Sequence, residues 1–180
     1  MASPSPAEAD ETPCKECGSE ETERQLSVFG VGSATPDPPA LISCTSGRPV
    51  ALNFIFTTCT TICPVLSATF SQAQEDLQEQ STPPIMISVS IDPDHDTPER
   101  LADYAKSFHA GPGWLFLTGS KGSLLEIQKS FDAYRGDKLN HVPLTFLRAS
   151  PNSSWVRLEG FTSARELNEE YEELISDPQG

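Results

Sequence analysis

Val50-Ala-Leu-Asn-Phe-Ile-Phe56-Thr-Thr-Cys59-Thr-Thr-Ile-Cys63-Pro64 is an apolar run that stops at two threonines and gives way to a pair of cysteines. The run is short, continuous and rich in large apolar side chains, as a strand buried on both faces should be. From Pro64 to about Gln80 the pattern changes. Leu66, Phe70, Ala73 and Leu77 recur at spacings of four, three and four, the stripe of an amphipathic helix. Pro64 suits a first helical turn, so Cys63 should stand close to the N-cap. A helix start favours a thiolate, because unpaired N–H groups and the dipole stabilise negative charge. Cys63 is therefore expected to be the more acidic of the two thiols. Two thiols four residues apart can hold a soft metal or close a disulfide, and the spacing leaves both open.

Outward from this junction, strands and helices alternate. An apolar strand spans Pro84–Ile91. Asp96-Thr-Pro98-Glu99 combines a capping residue with proline in the first turn and opens a helix whose inner stripe is Leu101, Tyr104 and Phe108. Trp114–Thr118 is a short strand, and Leu124, Leu125, Ile127 and Phe131 mark the next helix. Strands at Leu144–Arg148 and Trp155–Glu159 flank a Pro-Asn-Ser-Ser turn. Ser163-Ala-Arg-Glu166 is a capping box ahead of a last helix with Leu167, Tyr171 and Leu174 inward. This order predicts an α/β fold: parallel strands with helical crossovers, then an antiparallel hairpin and a terminal helix. It is the thioredoxin-like three-layer arrangement, a central mixed sheet with helices on both faces, enlarged by one strand–helix unit. A short β-rich lead-in, with strand candidates at Leu26–Val31 and Ala40–Cys44, precedes it. Residues 1–25 are rich in Pro, Ser and acidic residues and poor in large apolar ones. Such a segment cannot offset its ordering entropy, so a flexible acidic tail is expected there and a thioredoxin-like domain over 26–176.

The chain has 180 residues, enough for one self-sufficient core. Its net charge of −14 argues against nucleic acid and anionic membrane surfaces, where cationic side chains supply the attraction. No run of about 18 apolar residues stands ready to span a bilayer, and no signal peptide is visible. Five cysteines form two close pairs and one single residue: Cys14 and Cys17, Cys59 and Cys63, and Cys44. That distribution reads as metal or redox chemistry rather than a disulfide framework. Cys44 is expected to pack as a small apolar side chain. His141 lies just before the Leu144–Arg148 strand, on a connection that a thioredoxin-like fold brings against the cysteine-bearing junction. Two thiolates and one imidazole make a soft, low-coordinate donor set that suits Cu(I) best and also holds Cu(II), whereas zinc would call for a fourth ligand. His95, His109, Asp92 and Asp96 are read as loop, helix-end, turn and capping residues. Thr60-Thr-Ile-Cys63-Pro64 shares part of a peroxiredoxin pattern, but Thr57 stands where that pattern wants proline.

The stretch Asn53 to Pro64 resembles the signature of the Sco (SenC/PrrC) copper chaperones. The likeness continues through Ser90-Ile-Asp92-Pro-Asp-His-Asp96-Thr-Pro-Glu, Gly113-Trp-Leu-Phe-Leu-Thr-Gly119, Tyr134-Arg135 and His141. It covers about residues 47–176. The resemblance implies a thioredoxin-like fold that binds one copper through Cys59, Cys63 and His141. It further implies a role in assembling the dinuclear copper site of cytochrome c oxidase, as copper donor, thiol reductant or both. The implied partners are the oxidase's copper-site subunit or another copper acceptor, and a protein supplying copper or reducing equivalents. The implied location is the outer face of a bacterial plasma membrane or the mitochondrial intermembrane space, with a membrane anchor in the full-length protein.

Two departures stand out. Asn140 replaces the aspartate that usually precedes the ligand histidine, which removes a charge near the metal. Val142-Pro143 resembles the cis-proline segment of thioredoxins, so a cis Val142–Pro143 bond is expected. That feature favours the alternative function, a thiol–disulfide oxidoreductase in which Cys59 and Cys63 are the catalytic redox dithiol. Cys14-Lys-Glu-Cys17-Gly18 lies outside the resemblance and is read as a candidate second copper or redox dithiol. It is not a c-type haem site, since Gly18 replaces the required histidine.

Overall fold

The structure is a computed structural model that describes residues 47–176 and the backbone of 26–29. The tail over 1–25 with Cys14 and Cys17, the strand candidate Ala40–Cys44 and Cys44 itself lie outside the described residues. Six strands form one mixed sheet in the order β1-β4-β3-β2-β5-β6. They are β1 Leu26–Phe29, β2 Val50–Ile55, β3 Ile85–Ser90, β4 Trp114–Gly119, β5 Leu144–Arg148 and β6 Val156–Glu159. The helices are α1 Ile62–Glu79, α2 Pro98–Ser107, α3 Lys121–Ser130 and α4 Ala164–Ser176. β2, β3 and β4 are mutually parallel, whereas β1, β5 and β6 run antiparallel to their neighbours.

Every residue of β2 and β3 is buried, which explains why both read as apolar runs without alternation. Their side chains divide between two cores. On one face Ala51, Ile55 and Met86 meet Phe70, Ala73 and Leu77 of α1, Leu101 of α2, and Leu167 and Tyr171 of α4. On the other, Leu52, Phe54 and Ile87 meet Leu124 and Ile127 of α3. Helices thus cover both faces, and the three-layer expectation holds. Trp114 anchors the first core: it stacks on Phe116 at 5.0 Å, and its indole N–H donates to Ser88 Oγ at 3.0 Å. Ser88 in turn donates to Asn53 Oδ1 at 2.7 Å, which pairs these two oxygens inside the central strands. The capping box forms as expected, with Ser163 N–H donating to Glu166 Oε2 and Glu166 N–H to Ser163 Oγ.

β2 positions the cysteine junction. It is central in the sheet, and its carboxyl end delivers the chain to Cys59. β5 lies beside it antiparallel, with Asn53 opposite Thr145. The amino end of β5 therefore sits next to the carboxyl end of β2, and residues just before β5 arrive at the cysteine junction.

Candidate metal centre

α1 begins at Ile62, two residues earlier than the proline suggests, and its N-cap Thr61 makes no side-chain capping bond. Cys59 takes over that work. Its Sγ accepts the Cys63 N–H at 3.3 Å, and it also takes hydrogen bonds from the backbone at Thr61 and Ile62. Burial pushes the Cys59 thiol up, but these N–H groups outweigh it and leave the thiol below its ordinary value. Cys63 is the second helical residue and points inward, fully buried, with Phe56 N–H donating to its Sγ at 3.4 Å. Burial raises its pKa strongly, and the neighbouring Cys59 and Asp96 add to the rise. The expected order of acidity is thus reversed. The helix start does favour a thiolate, but the loop offers it the sulfur of Cys59 rather than that of Cys63. Both thiols are free, and they are hydrogen-bonded to one another.

His141 follows a 3-10 turn, Lys138–Asn140, and is buried. Its ring meets the Phe56 ring edge-on at 6.2 Å and is hydrogen-bonded to the Phe54 backbone. Burial lowers its pKa more than that bond raises it, so the imidazole is neutral at physiological pH. Nε2 is buried and has no hydrogen-bond partner. An orphaned buried acceptor in a native fold calls for an explanation. A neutral imidazole with one nitrogen fixed by the backbone and the other free is the form in which histidine binds a metal. By their chemistry, two thiols and a neutral imidazole suit copper. The structure places His141 against the strand that leads into the cysteines, yet among the described residues no three His, Cys, Asp or Glu side chains are gathered tightly enough to hold a metal.

The Val142–Pro143 bond is not cis: no cis peptide occurs among the described residues. Pro143 leads straight into β5, where its carbonyl accepts Gly160 N–H at 3.0 Å, and this extended entry is served by the isomer that X–Pro bonds ordinarily prefer.

Two acidic side chains do more around the centre than the sequence shows. Asp96 is buried, and the helix cap is Thr97 instead. The Asp96 carboxylate accepts Thr57 N–H at 3.1 Å, Thr57 Oγ1–H at 2.5 Å and Ser90 Oγ–H at 2.6 Å. It clamps the loop that leads into Cys59 onto the end of β3. Asp92, also buried, pairs with Lys138 and with His95 Nδ1 at 3.2 Å. Lys138 also lies over the Phe56 ring, 5.7 Å from its centre. The only sequence signal for either role was the density of acidic residues in Asp92-Pro-Asp-His-Asp96; Thr57 and Lys138, the partners that tie them to other segments, are 39 and 46 residues away. His95 otherwise occupies an exposed loop, and His109 follows α2 in a left-handed conformation, φ 54°.

Burial raises the Asp92 pKa, but Lys138 and His95 outweigh it and hold the carboxyl below its ordinary value. A group depressed in this way contributes stability above its unfolded-state value, about pH 4, which is lost as the pH falls through the lower folded value. Urea midpoints measured from pH 6 downward should fall through that acid window, and Asp92→Asn should flatten part of the fall. An identical pH profile for the variant would show that Asp92 contributes no such linkage.

Asp92, His95, Lys138 and His141 share a cleft of about 320 Å³ between the β3–α2 loop and the start of α3. No helix among the described residues is long and apolar enough to cross a membrane.

Comparison with known proteins agrees with this architecture. The SCO1/SenC family model matches residues 43–175. The SCO1 protein homolog of Bacillus subtilis is 38% identical over 84 residues, 45% of this chain and 44% of the relative. The chain spans about half the length, or less, of the curated relatives it matches. Among solved structures, Arabidopsis thaliana ScoI with copper bound superposes with a TM-score of 0.60 at 23% identity, covering 74% of this chain and 85% of that one. BsSco, described as a member of the Sco family of cytochrome c oxidase assembly proteins with a disulfide switch, superposes with a TM-score of 0.56 at 27% identity, covering 74% and 83%. With a family model spanning most of its length and the cysteine junction inside the match, the chain belongs to the SCO1/SenC family.

Proposed function

We propose that this protein binds one copper ion through Cys59, Cys63 and His141 and serves the assembly of the dinuclear copper site of cytochrome c oxidase. The observation that carries the reading is the His141 imidazole: buried, neutral, fixed through one nitrogen, unpartnered at Nε2, and packed on Phe54 and Phe56, the residues that lead into the two free thiols. Copper-bound structures of proteins with this fold support it. Copper is cargo here and moves by ligand exchange, one donor at a time. Cys59, partly exposed and the more acidic thiol, is the first donor an incoming acceptor meets. Cys63, buried behind it, is the last to let go. The acceptor is the oxidase's copper-site subunit or another copper protein. The working compartment is the mitochondrial intermembrane space or the outer face of a bacterial plasma membrane, with the full-length protein anchored there. Mitochondrial relatives and a lipoprotein of the same fold support that location.

One feature favours a second role at the same residues, reduction of a partner's disulfide. The two thiols differ in exposure and acidity, as a nucleophile and a resolving thiol do: the Cys59 thiolate attacks one sulfur of the partner disulfide, forming a mixed disulfide and releasing the partner's other sulfur as a thiolate, and Cys63 then attacks Cys59 Sγ, releasing the second partner thiolate as the Cys59–Cys63 disulfide forms. One titration addresses the copper reading. The full chain should take up one copper per Cys59/Cys63/His141 centre, and Cys59→Ser/Cys63→Ser should lose that equivalent. Repeating it after removal of residues 1–25 reports whether Cys14 and Cys17 hold a second copper. A first equivalent retained by the double serine variant after removal of residues 1–25 would refute the assignment.

A further inference from the structure

The loop that carries His141 is pinned at its start by Arg157 of β6, which reaches the Asp132 carboxylate at 3.2 Å, and near its end by Lys138. It leaves α3 through Asp132 and Gly136, both in left-handed conformations (φ 46° and 79°), and passes through the 3-10 turn to His141. Asp137 Oδ1 accepts Leu139 N–H at 2.8 Å, and Asn140 Nδ2 reaches the Arg135 carbonyl at 3.4 Å. These bonds shape the turn internally but do not fasten it to the sheet. Leu139, next but one to His141, is 81% exposed, so the outer side of the turn packs on nothing. Besides the bond from the His141 ring to the Phe54 backbone, the turn is fastened by Lys138, whose ammonium reaches across to the buried Asp92 on the β3–α2 loop and lies over Phe56 at the end of β2.

In this fastened position His141 Nε2 has no partner, and the three donor side chains do not form one cluster. Copper held by all three donors therefore requires the loop and the thiols to move relative to one another, and the Lys138–Asp92 pair resists that movement. We propose that Lys138 is a positioning residue: paired with Asp92, it holds His141 buried against Phe54 and Phe56, and release of the pair frees the imidazole to meet copper already captured by Cys59 and Cys63. The inference rests on the proposed ligand assignment for its consequence, but the latch itself is a property of the copper-free protein. Its energetic logic is that of a binding-competent state kept at low population, which slows or weakens capture by the fraction that is closed.

The test starts with the copper-free full chain. Diethyl pyrocarbonate at neutral pH modifies accessible neutral imidazoles, and peptide mass spectrometry reads each of the three histidines separately. With exposed His109 as the internal reference, Lys138→Met should raise the rate at His141 by about tenfold, and Lys138→Arg, which keeps the ion pair, should stay within about twofold of the parent. Asp92→Asn should give the same rise, and the double variant no more than either single change, since both open one latch. Equal His141 rates in parent and Lys138→Met, a rise in Lys138→Arg as large as in Lys138→Met, or additive effects in the double variant would each overturn the proposal. A second measurement tracks the thiolate-to-copper absorption after Cu(II) is added. Lys138→Met should reach the parent spectrum about tenfold sooner. If the carbethoxylation result holds while the copper spectrum ignores His141, the ligand assignment fails and the latch stands. If the spectrum depends on His141 but Lys138→Met leaves its reactivity unchanged, the latch fails and the ligand assignment stands.

Discussion

His141→Ala should remove or shift the visible thiolate-to-copper bands of the Cu(II) form and lower Cu(II) affinity by more than the roughly 10–100-fold that accompanies loss of an outer hydrogen-bonding partner of a metal ligand. Cu(I) affinity should fall much less. The soft thiolates of Cys59 and Cys63 satisfy Cu(I) by themselves, whereas Cu(II) gains more from the harder imidazole nitrogen. The same substitution should leave the copper-free fold nearly intact. The imidazole is hydrogen-bonded to the Phe54 backbone and its Nε2 is already unpaired, so stability should drop by about 1–3 kcal/mol, mostly from lost packing against Phe56. That contrast separates a ligand from a merely structural histidine. Unchanged absorption at equal copper occupancy would remove His141 from the centre.

The second large effect is expected at Asp96. Its carboxylate accepts from the Thr57 main chain and hydroxyl and from Ser90, all at 2.5–3.2 Å. Asp96→Ala leaves these donors beneath the surface without an acceptor, and each stranded group costs about 1–3 kcal/mol. Partial relaxation of the hydroxyls brings the expected total to about 3 kcal/mol, a large part of the 5–15 kcal/mol a domain ordinarily commands. Thermal unfolding should fall by about 6–12 °C at this chain length. Asp96→Asn keeps the shape and one acceptor, so its loss should be about half as large. Because the clamp ends two residues before Cys59, both variants should also bind copper more weakly in proportion to the loop's release. Calorimetry decides this: an Asp96→Ala protein melting within a degree or two of the parent would mean that the loop is held by something else.

Much of the architecture is legible in the residues alone. The spacing of Leu66, Phe70, Ala73 and Leu77 locates α1 and its buried face, and the apolar runs around Leu52 and Ile87 locate the central strands. Periodicity reports burial directly, and burial is what these segments contribute. The capping box at Ser163 is equally plain, because its partners lie three residues apart. The boundary at the site itself is less legible. Pro64 marks the helix start two residues late, because proline is tolerated anywhere in a first turn whose N–H groups have no helical partner.

The thiols show where local reading fails. Spacing identifies Cys59 and Cys63 as a pair but reverses their acidities, since acidity depends on which sulfur the first helical N–H groups meet and which one the core excludes from water. Asp92 and Asp96 read as turn and cap residues because nothing nearby in the chain reveals Lys138 or Thr57.

Periodicity and residue chemistry are local properties, and they were enough to give the order of strands and helices, the two-sided burial of the sheet, and the pair of soft donors at a strand–helix junction. Folding in three dimensions was needed to run β5 antiparallel beside β2, which brings His141 to the junction with one nitrogen bound and one free, and to let Asp92 and Asp96 fasten the two loops around it. Such contacts join residues tens of positions apart, and their geometry exists only once the sheet has formed.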